Sequence, residues 1–326
     1  MRTKQLSISA LVVLSAIFLF ISGCNKSDNT VSSTMTDDQY IQYVVSNGYS
    51  STSTDEDNVM STEISDLDTG LVSDNGGNMS PIDSLQKWGR RISNVSINFN
   101  IETQGDSLKV VHVTRTITGN YLILGWVGGQ SELITKPYTE VFNRNITFRR
   151  VDTKPNPALN WRLYKVSMLS GGTTTPQVGN TYVSITKVEV YLNNVQTPTY
   201  TLLGPDFTQN VFTTIKFGGA GIPTLNRGDQ LTVKVYTTSQ NSAIDYVAFH
   251  WARNTFGFHR IPFNLESQTG NGPFYRVYSK TFSIYSNHRL GVFNSYLSAS
   301  THESLYDDTI TDFASSEIGT PYKVLQ

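Results

Sequence analysis

Cysteine is all but missing from this chain: Cys24 stands alone among 326 residues. One thiol excludes an intramolecular disulfide framework, so the fold must stand on its hydrophobic core. Long Ala/Leu/Glu/Lys stretches at helical spacing are also missing. The common catalytic signatures are absent: no Gly-x-Ser-x-Gly elbow, no His-Glu-x-x-His pair, no P-loop and no Gly-x-Gly-x-x-Gly turn. His302-Glu303 lacks the second histidine at helical spacing. Base is missing from one region in particular. Between Cys24 and Gln86 stand Asp28, Asp37, Asp38, Asp55, Glu56, Asp57, Glu63, Asp66, Asp68, Asp74 and Asp83, with Lys26 as the one base. From Lys87 onward Lys and Arg outnumber Asp and Glu, so a net charge of −1 hides an acidic arm on a mildly basic body. The bases are scattered, which excludes a nucleic-acid partner.

What is present begins with the N-terminus. Arg2 and Lys4 precede a charge-free stretch from Gln5 to Asn25, with Leu11-Val12-Val13-Leu14 and Ile17-Phe18-Leu19-Phe20-Ile21 as its apolar core. These are the parts of a secretory signal. The apolar run is shorter than the roughly 20 residues of a membrane span and ends in Ser22-Gly23-Cys24. Ile21-Ser22-Gly23-Cys24 resembles the lipobox of bacterial lipoproteins, where a peptidase cuts before the Cys and lipid is joined to its sulfur. The resemblance covers residues 1–25. It implies lipidation of Cys24, a lipid bilayer as partner, and a bacterial cell-envelope location. Asn25 after the Cys, in place of Asp, implies the outer membrane.

The rest reads as mainly β. Seventeen Tyr and sixteen Phe, with frequent Thr, Ser, Asn and Gly, suit half-buried strands joined by turns. The expected order is a signal peptide at 1–23, then a disordered acidic tether with one short helix at 24–80. An antiparallel β-meander domain follows at 81–170, a linker at 171–180 and a β-sandwich domain at 181–326. Thr36-Asp37-Asp38 caps a helix predicted over 37–46, with Tyr40, Ile41, Val44 and Val45 on its apolar side and Asn47-Gly48 as its stop. Val95, Ile97, Phe99 and Ile101 alternate with Ser96, Asn98 and Asn100 in the first strand of the meander. Gly119-Asn120 reads as a tight turn between two later strands. Ser170-Gly171-Gly172 through Asn180 reads as the linker. In the second half, Leu231, Val233 and Val235 alternate with Thr232, Lys234 and Tyr236, after the turn Arg227-Gly228-Asp229. Seven or eight short strands there resemble immunoglobulin-like modules of bacterial surface proteins, which implies architecture and not activity. From Ser298 the tail is polar, with Pro321-Tyr322 packing back.

Four groups of residues invite a chemical reading. A two-residue hairpin turn at Asn254-Thr255 places His250 opposite His259, half of a metal site; the competing reading is a cross-strand polar pair. Asp66, Asp68 and Asp74 with Gly70 and Gly76 form part of a calcium loop but lack its bidentate Glu, which favours a solvated acidic stretch. Arg144, Arg149, Arg150, Lys154, Arg162 and Lys165 fall on two neighbouring strands and their loop. They suit an anionic glycan, a lipid headgroup or the acidic arm itself, against ordinary edge charge that deters aggregation. Trp88, Trp126, Trp161 and Trp251 are candidates for stacking on sugars or for the core.

The sequence thus points to a lipid-anchored envelope protein acting as a non-catalytic binding or structural module for a protein or glycan, with no cofactor. Its rivals are a carbohydrate-binding lipoprotein of a polysaccharide uptake system and a hydrolase whose site is assembled from distant residues.

Overall fold

The computed structural model describes residues 35–49, 70–73, 82, 84–214, 221–252 and 258–326. Helix α1 (Asp37–Asn47) starts where the sequence places it. Thr36 Oγ1 accepts from the Gln39 amide at 3.2 Å and Gln39 Oε1 from the Thr36 amide at 2.9 Å, a closed capping box. Gly48, at φ 77°, ends it. Tyr40, Ile41 and Val44 are buried, and Asp37 and Asp38 form ion pairs with Arg150 and Lys109.

The remaining described residues are mainly antiparallel β, as the composition leads one to expect. β1 (Gly70–Ser73), β2 (Ser84–Gln104), β3 (Leu108–Val127) and β4 (Gln130–Arg150) make the meander. α2 (Pro157–Asn160) leads to β5 (Trp161–Ser167) and β6 (Leu169–Thr175). α3 (Gly179–Tyr182) then precedes β7 (Val183–Leu192), β8 (Tyr200–Leu203), β9 (Val211–Thr213), β10 (Thr224–Asn226) and β11 (Gln230–Ser239). β12 (Tyr246–Ala252), β13 (Phe258–Pro262), β14 (Asn264–Thr269), β15 (Phe274–Ser283) and β16 (Gly291–Ser300) follow, then α4 (His302–Tyr306) and β17 (Ser315–Leu325).

These strands build two sheets. The larger runs β1-β2-β3-β4-β6-β17-β16-β12-β13, with β5 and β9 alongside β4 and β10 parallel to β17; the smaller runs β14-β15-β11-β7-β8. One core lies between them, where Val188, Leu231, Val235 and Tyr278 meet Leu297, Ala299, Ile318 and Val324. This is a β-sandwich, and the alternation at 231–236 delivers its inner face.

The larger sheet also curls over itself. Arg90 on β2 contacts Glu317 on β17, four strands away, a span of about 19 Å in a flat sheet. Trp88 on β2 lies 5.5 Å from Tyr246 and 6.4 Å from His250 on β12, six strands away. The curl encloses a second core of Trp88, Ile117, Tyr121, Tyr138, Tyr296 and Phe313. β16 and β17 are therefore covered on both faces, by the smaller sheet and by the curled meander.

Three expectations fail at this level. Gly119-Asn120 does not turn: β3 runs straight through it. A Cβ at Gly119 would sit 2.4 Å from the Arg91 carbonyl, so the glycine serves close strand approach beside the bulge at Ile92/Asn94. The linker expected at 171–180 is replaced by β6 and α3. β6 pairs β4 on one side and β17 on the other, joining the two halves in one sheet. A Cβ at Gly171 would meet the Val141 carbonyl at 2.2 Å and one at Gly172 the Ser315 carbonyl at 2.2 Å, so these glycines are packed. The segment from Ser298 is not a tail but ends in β17, a central strand, although Pro321 and Tyr322 do pack back as expected.

Candidate functional site

The register of β2, β3, β4 and β6 lines up polar side chains in rows on the face turned away from both cores. Asn94, Thr118 and Thr139 form one row, and Ser96, Thr116 and Val141 the next. Asn98, Thr114, Asn143 and Ser170 form a third, and Asn100, His112 and Asn145 a fourth. Period-two alternation puts them all on one side, because Ile97 on β2, Val113 and Ile117 on β3 and Phe142 on β4, each one residue out of step with the rows, face the interior. Three strand spacings by three two-residue steps make a face of about 14 by 20 Å. Cross-strand bonds hold it: Thr114 Oγ1 donates to Asn143 Oδ1 at 2.9 Å, and His112 Nδ1 to Asn145 Oδ1 at 2.8 Å. Asn94, Ser96, Asn98, Asn100 and Asn143 are exposed. A groove of about 660 Å³ borders the face, lined in part by Val141, Asn143, Ser170, Gly172 and Thr174. Its one charge, Asp206, accepts from the Thr208 amide at 3.0 Å and hydroxyl at 2.7 Å.

Apart from Val141 and His112, these four rows hold hydroxyls and amides, and the nearest carboxylate on the same face is Glu102, 3.5 Å from His112 Nε2 at the edge of the fourth row. The outer face of the smaller sheet is the opposite. There Lys234 pairs with Glu266 at 2.6 Å, and Glu189 accepts from Lys187, Tyr191 and Tyr236 at 2.7–2.8 Å. Burial alone would raise the Glu189 carboxyl, but those three donors outweigh it and hold it down at about 2.

The expected cationic strip comes apart. Arg144 is buried, and burial together with Arg115 lowers its pKa to about 9. Arg149 and Arg162 do face each other across β4 and β5, with Arg149 over the Tyr164 ring. Arg162 is turned to the Ala158 and Trp161 carbonyls at 2.6 and 2.8 Å. Lys154 pairs with Asp152 at 3.0 Å, and Lys165 lies over Tyr164. Arg150 meets Asp37 at 3.3 Å and stands over Trp161, the contact with the acidic arm that one reading of the strip named.

The histidine pair does not form. Ala252 pairs with Phe258, so the connection is longer than a two-residue turn. His250 lies opposite Arg260, and His259 opposite Trp251. His250 is buried, stacked on Tyr296 at 4.1 Å, with Nε2 2.7 Å from Ser298 Oγ. Among the described residues no group of three or more His, Cys, Asp or Glu is placed to hold a metal ion. Trp88 and Trp161 are core residues, whereas Trp126 is 42% exposed. Cys24, Asp66, Asp68 and Asp74 lie outside the described residues.

Sequence reasoning missed a buried ionic cluster. Arg90 holds Glu140 at 3.1 Å and also Glu317, which accepts from Ser315 Oγ at 2.7 Å. Burial pulls the Arg90 pKa down, but the two carboxylates overcome this and hold it well above its ordinary value. Both carboxylates are fully buried, so the cluster ties β2, β4 and β17 together. No local signal marks it, because Arg90 and Glu317 are 227 residues apart. The rows of the polar face were half legible: Ser96, Asn98 and Asn100 show in the alternation, but Thr114, Thr116 and Asn143 join them only through register.

No protein-family model matches the chain, and the search of curated proteins finds no match.

Proposed function

We propose that this chain is a lipid-anchored, non-catalytic binding protein of the bacterial cell envelope, and that its ligand is a neutral glycan laid across the face of β2, β3, β4 and β6 that is rich in Asn, Ser and Thr. The composition of that face carries the reading. Exposed sheet faces are ordinarily kept soluble and unpaired by charge, and the smaller sheet follows that rule. A field made mostly of Asn, Ser and Thr, with Glu102 only at its edge, largely gives up that protection and offers donors and acceptors together, as sugar hydroxyls require. Acylated Cys24 supplies the membrane attachment.

The test is retention of the protein on insoluble neutral polysaccharides (a glucan, a mannan and chitin). At least one should retain it, and Asn98→Asp with Thr114→Glu should weaken that retention tenfold or more. Failure to bind any of them, or unchanged retention of the double variant, overturns the reading. In the same preparation Cys24→Ser should move the protein from the membrane to the soluble fraction while leaving glycan retention intact.

A further inference from the structure

Between the two sheets the core is not filled. A cavity of about 560 Å³ remains, within the range of small-molecule sites. Val190, Leu231 and Phe282 of the smaller sheet and Phe249, Leu297 and Ile318 of the larger form its walls. It reaches the surface beside the turn at Gly228 and the segment Ser283–Ser286, where Gly228, Ser283, Tyr285 and Ser286 are exposed. Backbone bonds fix this rim: the Gly228 amide donates to the Ile284 carbonyl and the Ile284 amide to the Asp229 carbonyl, both at 2.9 Å.

The lining contains no Lys, Arg, Asp or Glu. Its polar groups are hydroxyls and one imidazole. Ser295 and Thr320 face each other across β16 and β17, next to Leu297 and Ile318 on the same wall. His288 is buried at the rim, and its Nδ1 donates to the Arg289 carbonyl at 2.7 Å. Arg227 lies close by but donates to the His288 carbonyl at 2.7 Å and is not part of the lining. An ionised group inside would lack a counter-charge in apolar surroundings. A void left empty forfeits packing in proportion to its volume.

From these walls and this polar set we infer that the inter-sheet cavity is a binding site for a neutral aliphatic lipid, one acyl chain with an uncharged hydroxyl or ester head. The chain lies along Val190, Leu231, Phe249 and Phe282. The head meets the hydroxyls of Ser295 and Thr320 or the rim at His288. This site is separate from the polar outer face and stands whether or not that face binds glycan.

Photo-crosslinking tests it on the full chain in membranes. The probes are a monoacylglycerol and a free fatty acid, each with a diazirine in the chain. The monoacylglycerol should label peptides of β7, β11, β15 and β16, and unlabelled monoacylglycerol should suppress this at least tenfold. The fatty acid at pH 8 should label those peptides at least tenfold less. Val233→Trp and Leu297→Trp, which fill the cavity, should each cut the labelling by a similar factor, whereas Thr116→Lys on the outer face should leave it unchanged. Labelling confined to other peptides, labelling that unlabelled monoacylglycerol does not suppress, or equal labelling by the fatty acid overturns the inference, and the probe comparison does so without any variant.

Discussion

Lys136 shows what a single side chain does in this fold. It is fully buried, and its Nζ donates to the Glu303 carbonyl at 2.7 Å and the Asp312 carbonyl at 2.9 Å, holding the α4 segment onto β4. Burial lowers its pKa from 10.5 to about 8, against the opposing pull of Asp307, Asp312, Asp308 and Glu303. A base whose folded pKa is depressed favours the folded state only once it can lose its proton. Its contribution is therefore absent below about pH 8, grows between about 8 and 10.5, and is complete above that. The gain is on the order of 3 kcal/mol across the window. Denaturant unfolding of wild type and Lys136→Met at pH 7, 9 and 10.5 should show wild type gaining on the variant by roughly that amount. A constant difference across the three pH values counts against this account. Nothing in Thr135-Lys136-Pro137 announces the role, because both acceptors are backbone carbonyls more than 160 residues away.

At the scale of elements, the chain is legible where side chains alternate and obscure where glycine does two jobs. The helix at 37–47, the strand from Val95 to Ile101 and the strand from Leu231 to Tyr236 all follow from period and capping. The helix and the second of these strands bury their apolar sides, and in the first Ile97, Phe99 and Ile101 are half-buried while Val95 stays exposed, so the alternation survives in sequence. β6 and β17 sit among neighbours on every side. Their Ser, Thr and Gly residues fit narrow spaces, and the same composition elsewhere makes a solvated loop. Gly171 separates the two meanings. As a linker residue it would accept Ala with little effect or a small gain. As a packed strand residue whose Cβ would meet the Val141 carbonyl at 2.2 Å and the Phe142 ring at 2.6 Å, it should not. Gly171→Ala is expected to destabilise by about 1–3 kcal/mol, the usual cost of overpacking, read as a lower denaturation midpoint at unchanged slope. A neutral or stabilising result returns the segment to the linker reading.

For the whole molecule the question is where folding cooperativity ends. A break at 171–180 divides the chain into a meander and a sandwich, each with its own core. The contacts cross that line. β6 hydrogen-bonds β4 through Thr139–Asn143 and β17 through Ser316–Gly319. Arg90 and Glu140 lie before the line, and their partner Glu317 after it. The core inside the curl draws Trp88, Tyr121 and Tyr138 from the first half and Tyr296, Leu305 and Phe313 from the second. A chain ending at 170 would keep Arg90 and Glu140 but lose the second carboxylate and half the aromatic packing. A chain starting at 181 would leave Glu317 without Arg90. Removing one partner of such a buried pair costs about 3–5 kcal/mol, a large part of the 5–15 kcal/mol by which domains are ordinarily stable. Neither half should therefore fold alone, and residues 35–326 should unfold in a single transition by far-UV and near-UV circular dichroism. Mixing the two halves should restore dispersed amide resonances only if they associate. Two separate transitions, or a well-dispersed spectrum from either half by itself, would show that the curl is an ornament on two independent domains.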